Sequence, residues 1–322
     1  MGYNSDQMYK IAASQDWELL LSGNIELKDV APLEKPFHQK FPFYVAYEDG
    51  GVTLPRGVIN SQKLDLLLSA VFSPAYQVTN FDSLHVPFRC VAVNLVNGDV
   101  KSFSKGNLAK SIRASMAIPG VFTPEEIDNN LYVDGGVIRN FPVEEILELG
   151  ADFVIGVYVG SNLKEKEEIK SMFDVISQTT FMMGSLDSDE QSELVNILIT
   201  PDISDINSFA FEDYDKIISL GYETVQQNSG QLKQLATKLD RFPKKEAKRS
   251  MPRPEYLFMK KVEFPKTESP FDDLGRFKFG NYRRGSLTLD RIEKGITRIV
   301  GTKLYDKAVS YTHLTLPTIL LV

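Results

Sequence analysis

The stretch "LYVDGGVIRNFP", residues 131–142, decides the fold. An apolar run ends on one carboxylate, Asp134, followed by two glycines, then Asn140 and Pro142. Leu131, Tyr132 and Val133 have the composition of a strand, and Gly135-Gly136 predicts a turn. After it, "PVEEILELG" (142–150) predicts a helix, with Pro142 in the first position and Gly150 closing the end. "DFVIGVYVG" (152–160) is apolar without interruption, which predicts a strand buried on both faces of a parallel sheet. Before it, "FRCVAVNLV" (88–96) predicts a strand, and Asn97-Gly98 turns the chain into a second strand, "VKSFSKG". "NLAKSIRASMA" (107–117) predicts a helix ending ahead of Pro119. Strand and helix alternate, so the reading is an α/β layered domain with a largely parallel sheet. Sites in such sheets form at the carboxyl ends of strands, and Asp134 stands at one.

The flanks extend this pattern. Asn4 or Ser5 predicts the cap of a helix over 6–14. Asp49-Gly50-Gly51 predicts a hairpin turn. "SQKLDLLLSAVF" (61–72) predicts a helix with Leu64, Leu67, Leu68 and Val71 inward. An amphipathic helix is expected over 162–186, a strand over 193–202, and one or two helices over 213–239. The domain therefore spans residues 1–238. Residues 239–255 are basic and contain Pro, and read as a linker. Residues 256–311 form a small module with strand "YLFMKKVEF" and a helix that places Ile292, Ile296 and Ile299 on one face.

Composition narrows the function. Of 322 residues, 43% are apolar and 25% charged, ordinary for a globular protein, and the formal net charge of −7 argues against nucleic acid as a partner. With one cysteine, Cys90, no intramolecular disulfide forms, and no Cys/His spacing resembles a zinc site. No metal or other cofactor is expected. The first residues lack the basic and apolar regions of a signal peptide, and no run of 18 apolar residues predicts a transmembrane helix.

Asp134 has two readings on these residues alone. A carboxylate within hydrogen-bond reach, and partly desolvated, can take the proton of a serine nucleophile directly. Alternatively it closes a plain turn by bonding its own backbone. A second copy, "EDGG" (48–51), reads as a hairpin turn.

The wider segment carries a resemblance. Ala114, Ser115, Ala117, Pro119, Phe122 and Pro124, then Asp134, Gly135 and Gly136, then Asn140 and Pro142, follow in the order seen in patatin-like phospholipases. With upstream "SQDWELLLSG" and "GVINSQKLDLLL", the chain resembles the bacterial branch over residues 1–235. The resemblance implies a three-layer α/β/α fold and a Ser-Asp dyad that hydrolyses phospholipid or lysophospholipid acyl esters. It implies Asp134 as the general base and Pro119, Asn140 and Pro142 as structural support. It also implies a nucleophile on a Gly-x-Ser-x-Gly elbow, and that motif does not occur in the 322 residues. "MGSLDS" (183–188) and "RGSLTL" (284–289) have the wrong spacing. The expectation is an N-terminally truncated chain that begins downstream of its serine, leaves apolar faces uncovered and lacks esterase activity. Ser115 is read as scaffold, and Arg113 and Arg139 as surface ion-pair formers rather than phosphate ligands.

Residues 256–311 resemble part of a POTRA module, the β-α-α-β-β unit preceding outer-membrane barrels. That implies a parent at the periplasm or outer membrane of a Gram-negative bacterium and a β-barrel in the same parent chain; a homo-oligomer is a separate partner expectation. The alternative is a non-catalytic patatin-like protein acting as an outer-membrane binding or secretion module that recruits a strand by β-augmentation. Residues 312–322 resemble translated adapter read-through, and no strand is expected there.

Overall fold

The computed structural model describes residues 2–21, 26–28, 30, 35–37, 46–48, 51–53, 57–59, 61–160, 163–170, 172–206, 211–242, 257–259, 261–263, 285–300, 308–313 and 316–321. Helix α1 (Ser5–Ala13) starts at Asn4, whose side chain accepts from Gln7 N while Gln7 returns the bond, a capping box. Helix α2 (Trp17–Leu21) follows. Strands β1 (Ala46–Glu48) and β2 (Gly51–Thr53) pair antiparallel with Glu48 opposite Gly51, the hairpin expected around the first Asp-Gly-Gly. Its turn residues lie outside the described residues. Strand β3 (Gly57–Ile59) precedes helix α3 (Gln62–Val71), which buries Leu64.

The candidate site rests on a four-stranded sheet in the order β5-β4-β8-β7, formed by β4 (Cys90–Asn94), β5 (Val100–Phe103), β7 (Glu125–Ile127) and β8 (Asn130–Asp134). Every pairing in this sheet is antiparallel, which corrects the expectation of a largely parallel sheet. Hairpins are the reason. Strands β4 and β5 are joined through Gly98 at φ +78°, and β7 and β8 through Asp128 and Asn129 at φ +51° and +60°. Ile127 stands opposite Asn130, so two left-handed residues make the whole turn, the conformation whose twist suits a two-residue hairpin. Helix α4 (Leu108–Ser115), capped by Asn107 through Lys110 N, packs across this sheet with Ala114 fully buried. Phe81, Leu84, Ala92, Phe103, Leu108 and Tyr132 complete that core.

Parallel pairing does occur, in two separate pairs. Strand β6 (Gly120–Phe122) runs parallel to β3. Strand β9 (Ile155–Val157) runs parallel to β10 (Ile197–Ile199). Strand β9 is not buried on both faces as its composition predicts. Gly156 faces inward against Phe141, while Ile155 and Val157 are 44% and 52% exposed. Short helix α5 (Glu144–Leu147) precedes β9, and the long helix α6 (Met172–Ser192) separates β9 from β10. Helices α7 (Tyr214–Gln227) and α8 (Ser229–Leu239) follow, with α7 tied to α1 by the Tyr9–Asp215 hydrogen bond of 2.8 Å.

The linker over 239–255 lies outside the described residues from 243 on. Beyond it, β11 (Leu257–Met259) pairs antiparallel with β13 (Gly285–Leu287), and β12 (Lys261–Glu263) is the edge of a β12-β15-β14 sheet. Helix α9 (Leu289–Val300) buries Ile292, Ile296 and Ile299, the face its spacing predicts. Strand β14 (Ala308–His313) pairs antiparallel with β15 (Leu316–Leu321), so residues 312–313 and 316–321 enter a sheet, where the sequence predicts no strand. Their β-branched and apolar composition suits a strand. No helix among the described residues is long and apolar enough to cross a membrane.

The β7–β8 turn yields a stability prediction. Asn129→Ala places an ordinary side chain at φ +60° and is expected to cost roughly 1 kcal/mol, whereas Asn129→Gly is expected to be neutral or stabilising. Urea unfolding of the two variants checks this, and equal midpoints would contradict the turn geometry.

Candidate active site

Asp134 ends β8, where Ala92 of β4 faces it across the ladder. Its backbone N–H donates to Ala117 O at 3.0 Å. That bond joins the two halves of the sequence pattern: the segment leaving α4, with Ala117 and Pro119, and the Asp-Gly-Gly turn. Pro119 is half-buried beside Gly120, which takes φ +79° to enter β6.

After Asp134 the chain forms a single 3-10 turn, Gly135–Val137. The Asp134 Oδ1 accepts from Gly136 N at 2.8 Å, an Asx-type closure. No other hydrogen bond to this carboxylate occurs among the described residues, and Oδ2 is left without one. Close packing requires glycine at 135, and at 136 a Cβ would displace the Asn140 side chain. A Cβ on Gly135 would lie 2.6 Å from Val91 O, and one on Gly136 would lie 2.8 Å from Asn140 Oδ1. Asn140 itself fits between Gly136 and Gly160, its Nδ2 2.8 Å from where a Gly160 Cβ would stand. Pro142 precedes α5 rather than opening it, so the helix expected over 142–150 is shorter. Val143 N bonds back to Phe141 O at 2.9 Å, and the helix begins at Glu144.

Electrostatics single out Asp134. Burial pushes its carboxyl from the ordinary 3.8 up to about 6, and the Gly136 N–H pulls only partly back. The Cys90 thiol, on the strand that faces Asp134, is pushed up to about 12 by burial alone. Among the described residues no group of three or more His, Cys, Asp or Glu side chains could hold a metal ion.

The two arginines do not line a phosphate site. Arg113 is not on the surface: it is 2% exposed, pairs through Nε with Asp65 of α3 at 3.1 Å, and lies 5.0 Å from the Phe122 ring centroid. Helix α4 turns that position inward, toward α3. Arg139 pairs with Glu144 at 2.5 Å, with Glu145 at 3.2 Å and through Nε with Asp187 of α6 at 3.2 Å. Burial works against the Arg139 charge, but the Glu144 bond and the Glu145 and Asp187 charges outweigh it, and the pKa rises. For Asp187 the balance tips the other way: burial dominates over Arg139, and its pKa is also raised. Ser115, the last residue of α4, is half-buried, and no hydrogen bond joins it to Asp134 among the described residues.

Helix α6 contributes residues that sequence reasoning missed. Gly184 packs on the turn so closely that a Cβ there would stand 1.9 Å from Gly136 O. Gln191 Oε1 accepts from Val143 N at 3.1 Å and from Glu144 N at 3.0 Å, capping α5. "MGSLDS" attracts attention in the sequence only as an elbow with the wrong spacing. Nothing local marks its glycine as a packing site.

The raised carboxyl has a stability signature. Between about 4 and 6 the folded state binds a proton the unfolded chain has released. Stability is therefore lost as pH rises through this window and stays lower above it. Asp134→Asn keeps the acceptor for Gly136 and removes the charge. It is expected to stabilise the fold at pH 7.5 by on the order of 2–3 kcal/mol, with the gain fading near pH 4. Denaturant unfolding at both pH values tests this, and a pH-independent gain would contradict it.

Comparison with known proteins now bears on this geometry. Residues 1–147 match the family described as patatin-like phospholipase, a span that includes Asp134–Gly136 and ends before α6. An uncharacterized NTE family protein of Mycobacterium bovis is 34% identical over 101 residues, covering 31% of this chain and 27% of that protein. The lysophospholipase NTE1 of Mycosarcoma maydis is 34% identical over 87 residues, 27% of this chain and 5% of that protein. The lysophospholipase NTE1 of Meyerozyma guilliermondii is 23% identical over 190 residues, 49% of this chain and 13% of that protein. The chain thus spans between 5% and 27% of the length of these relatives.

Proposed function

We propose that the region matched to patatin-like phospholipases supplies the general base, Asp134, of a lipid acyl hydrolase acting on phospholipid or lysophospholipid esters. The observation that carries this reading is the desolvated carboxylate at a strand end, with a pKa near 6 and one oxygen uncommitted. A base in that range accepts a proton near neutral pH and can return it. The names of the fungal relatives, both lysophospholipases, support the substrate class.

In the reaction so read, Asp134 Oδ2 takes the proton of a serine hydroxyl as its oxygen attacks the ester carbonyl carbon. The tetrahedral adduct collapses, the C–O bond to the alcohol breaks, and the alcohol leaves with the proton from Asp134. Water, deprotonated by the same carboxylate, then attacks the acyl-serine, the C–O bond to the serine breaks, and Asp134 returns the proton to the serine oxygen as the fatty acid leaves. Gly136 fixes Oδ1, so the carboxylate has one orientation throughout. The serine of a Gly-x-Ser-x-Gly elbow is not among these 322 residues, so the chain by itself is expected to show no turnover.

The test joins this segment to a Gly-x-Ser-x-Gly element in one polypeptide. Asp134→Asn in that protein is expected to lower kcat on a lysophospholipid about 10²–10⁴-fold, and the unmodified protein is expected to gain activity as pH passes about 6. Full turnover by the Asn variant would remove the base assignment and leave Asp134 as a turn former in a non-catalytic module.

A further inference from the structure

We infer that helix α6 sets the position of the Asp134 carboxylate from outside its sheet, with Gly184, Asp187 and Gln191 as positioning residues. This rests on the reading of Asp134 as the base and deepens it.

Helix α6 docks in an unusual way. Its sequence predicts an apolar inner face, yet Val175, Ile176, Met182, Met183 and Leu186 are all exposed. From Asp174 on, the buried residues are Gly184, Ser188 and Gln191, which fall on one stripe of the helix. Ser188 turns its hydroxyl back onto Gly184 O at 2.7 Å, so the stripe presents little beyond backbone at that point. Apolar burial therefore does not hold α6 here. Steric fit and polar bonds do, and both depend steeply on position.

Every one of these contacts falls on the chain that leaves Asp134. Gly184 abuts the carbonyl of Gly136, with the site of a Cβ only 1.9 Å from the oxygen. The same Gly136 donates its N–H to Asp134 Oδ1 at 2.8 Å. One residue thus links the helix to the carboxylate. Three residues on, Arg139 meets Asp187 at 3.2 Å, and beyond it Gln191 takes the amides of Val143 and Glu144. The turn is pinned at its start, middle and end by one helix. Bulk added at Gly184 pushes on Gly136, and with it on the bond that orients the carboxylate.

The experiment uses the 322-residue chain and needs no turnover. Two signals are read: the carboxyl titration of Asp134 by carbon NMR, and hydrogen exchange of the Gly136 amide. Gly184→Ala is expected to speed Gly136 exchange about tenfold and to shift the Asp134 titration about one pH unit downward as water enters. Gly221→Ala, on α7 where a Cβ meets nothing within 4 Å, is expected to change neither. Thermal stability alone is a poor reading, because alanine also improves a helix. If Gly184→Ala fails to fold, Asp187→Asn carries the test through the Arg139 contact, with faster Gly136 exchange again expected. A folded variant of either kind with both signals unmoved overturns the inference. Because neither signal requires a serine, a failed base assignment would appear in the turnover experiment and leave these results standing.

Discussion

A single backbone bond, from Asp134 N–H to Ala117 O at 3.0 Å, is the constraint on which the site depends. It fixes the end of β8 against the segment that leaves α4, and it adds a directional bond to the packing of α4 on the sheet. Glycine then becomes necessary at the first position of the turn. Gly135 meets the Val91 backbone, with no space for a Cβ, and Gly136 meets the side-chain end of Asn140. The carboxylate emerges from this packing with little freedom and little water, which is why burial rather than any neighbouring charge governs its proton affinity.

The charged groups around the turn divide the work. Arg139 is held by three carboxylates, Glu144, Glu145 and Asp187, so its charge is spent locally and does not reach Asp134 as a partner. Arg113 is spent on Asp65. A free guanidinium beside Asp134 would lower its pKa and weaken it as a base. Keeping both arginines engaged elsewhere leaves desolvation as the dominant influence.

Much of this was legible in the sequence, and what was not has physical reasons. The Asn4 cap, the Asn97-Gly98 turn, the Ile292/Ile296/Ile299 face and the Asp134 strand end follow local rules of capping, turn chemistry and periodicity. The antiparallel sheet is hidden because "LYVDGG" reads as a strand alone, while its signal is the two-residue turn Asp128-Asn129 before it. The exposed face of β9 was missed because an apolar run reports composition and not coverage. Buried Arg113 depends on Asp65 of another helix, and Gly184 depends on a carbonyl far away in sequence. Tertiary pairings of that kind leave no periodic trace.

The thiol of Cys90 gives the architecture a built-in chemical clock. It starts β4, opposite Phe103 of β5 and two residues before the Ala92–Asp134 pair, and burial keeps it protonated at any physiological pH. A half-buried thiol with so high a pKa is a poor nucleophile toward alkylating agents. It is also the one cysteine in the chain. The rate of its modification therefore reports the setting of the β4 start, beside the strands that carry the carboxylate.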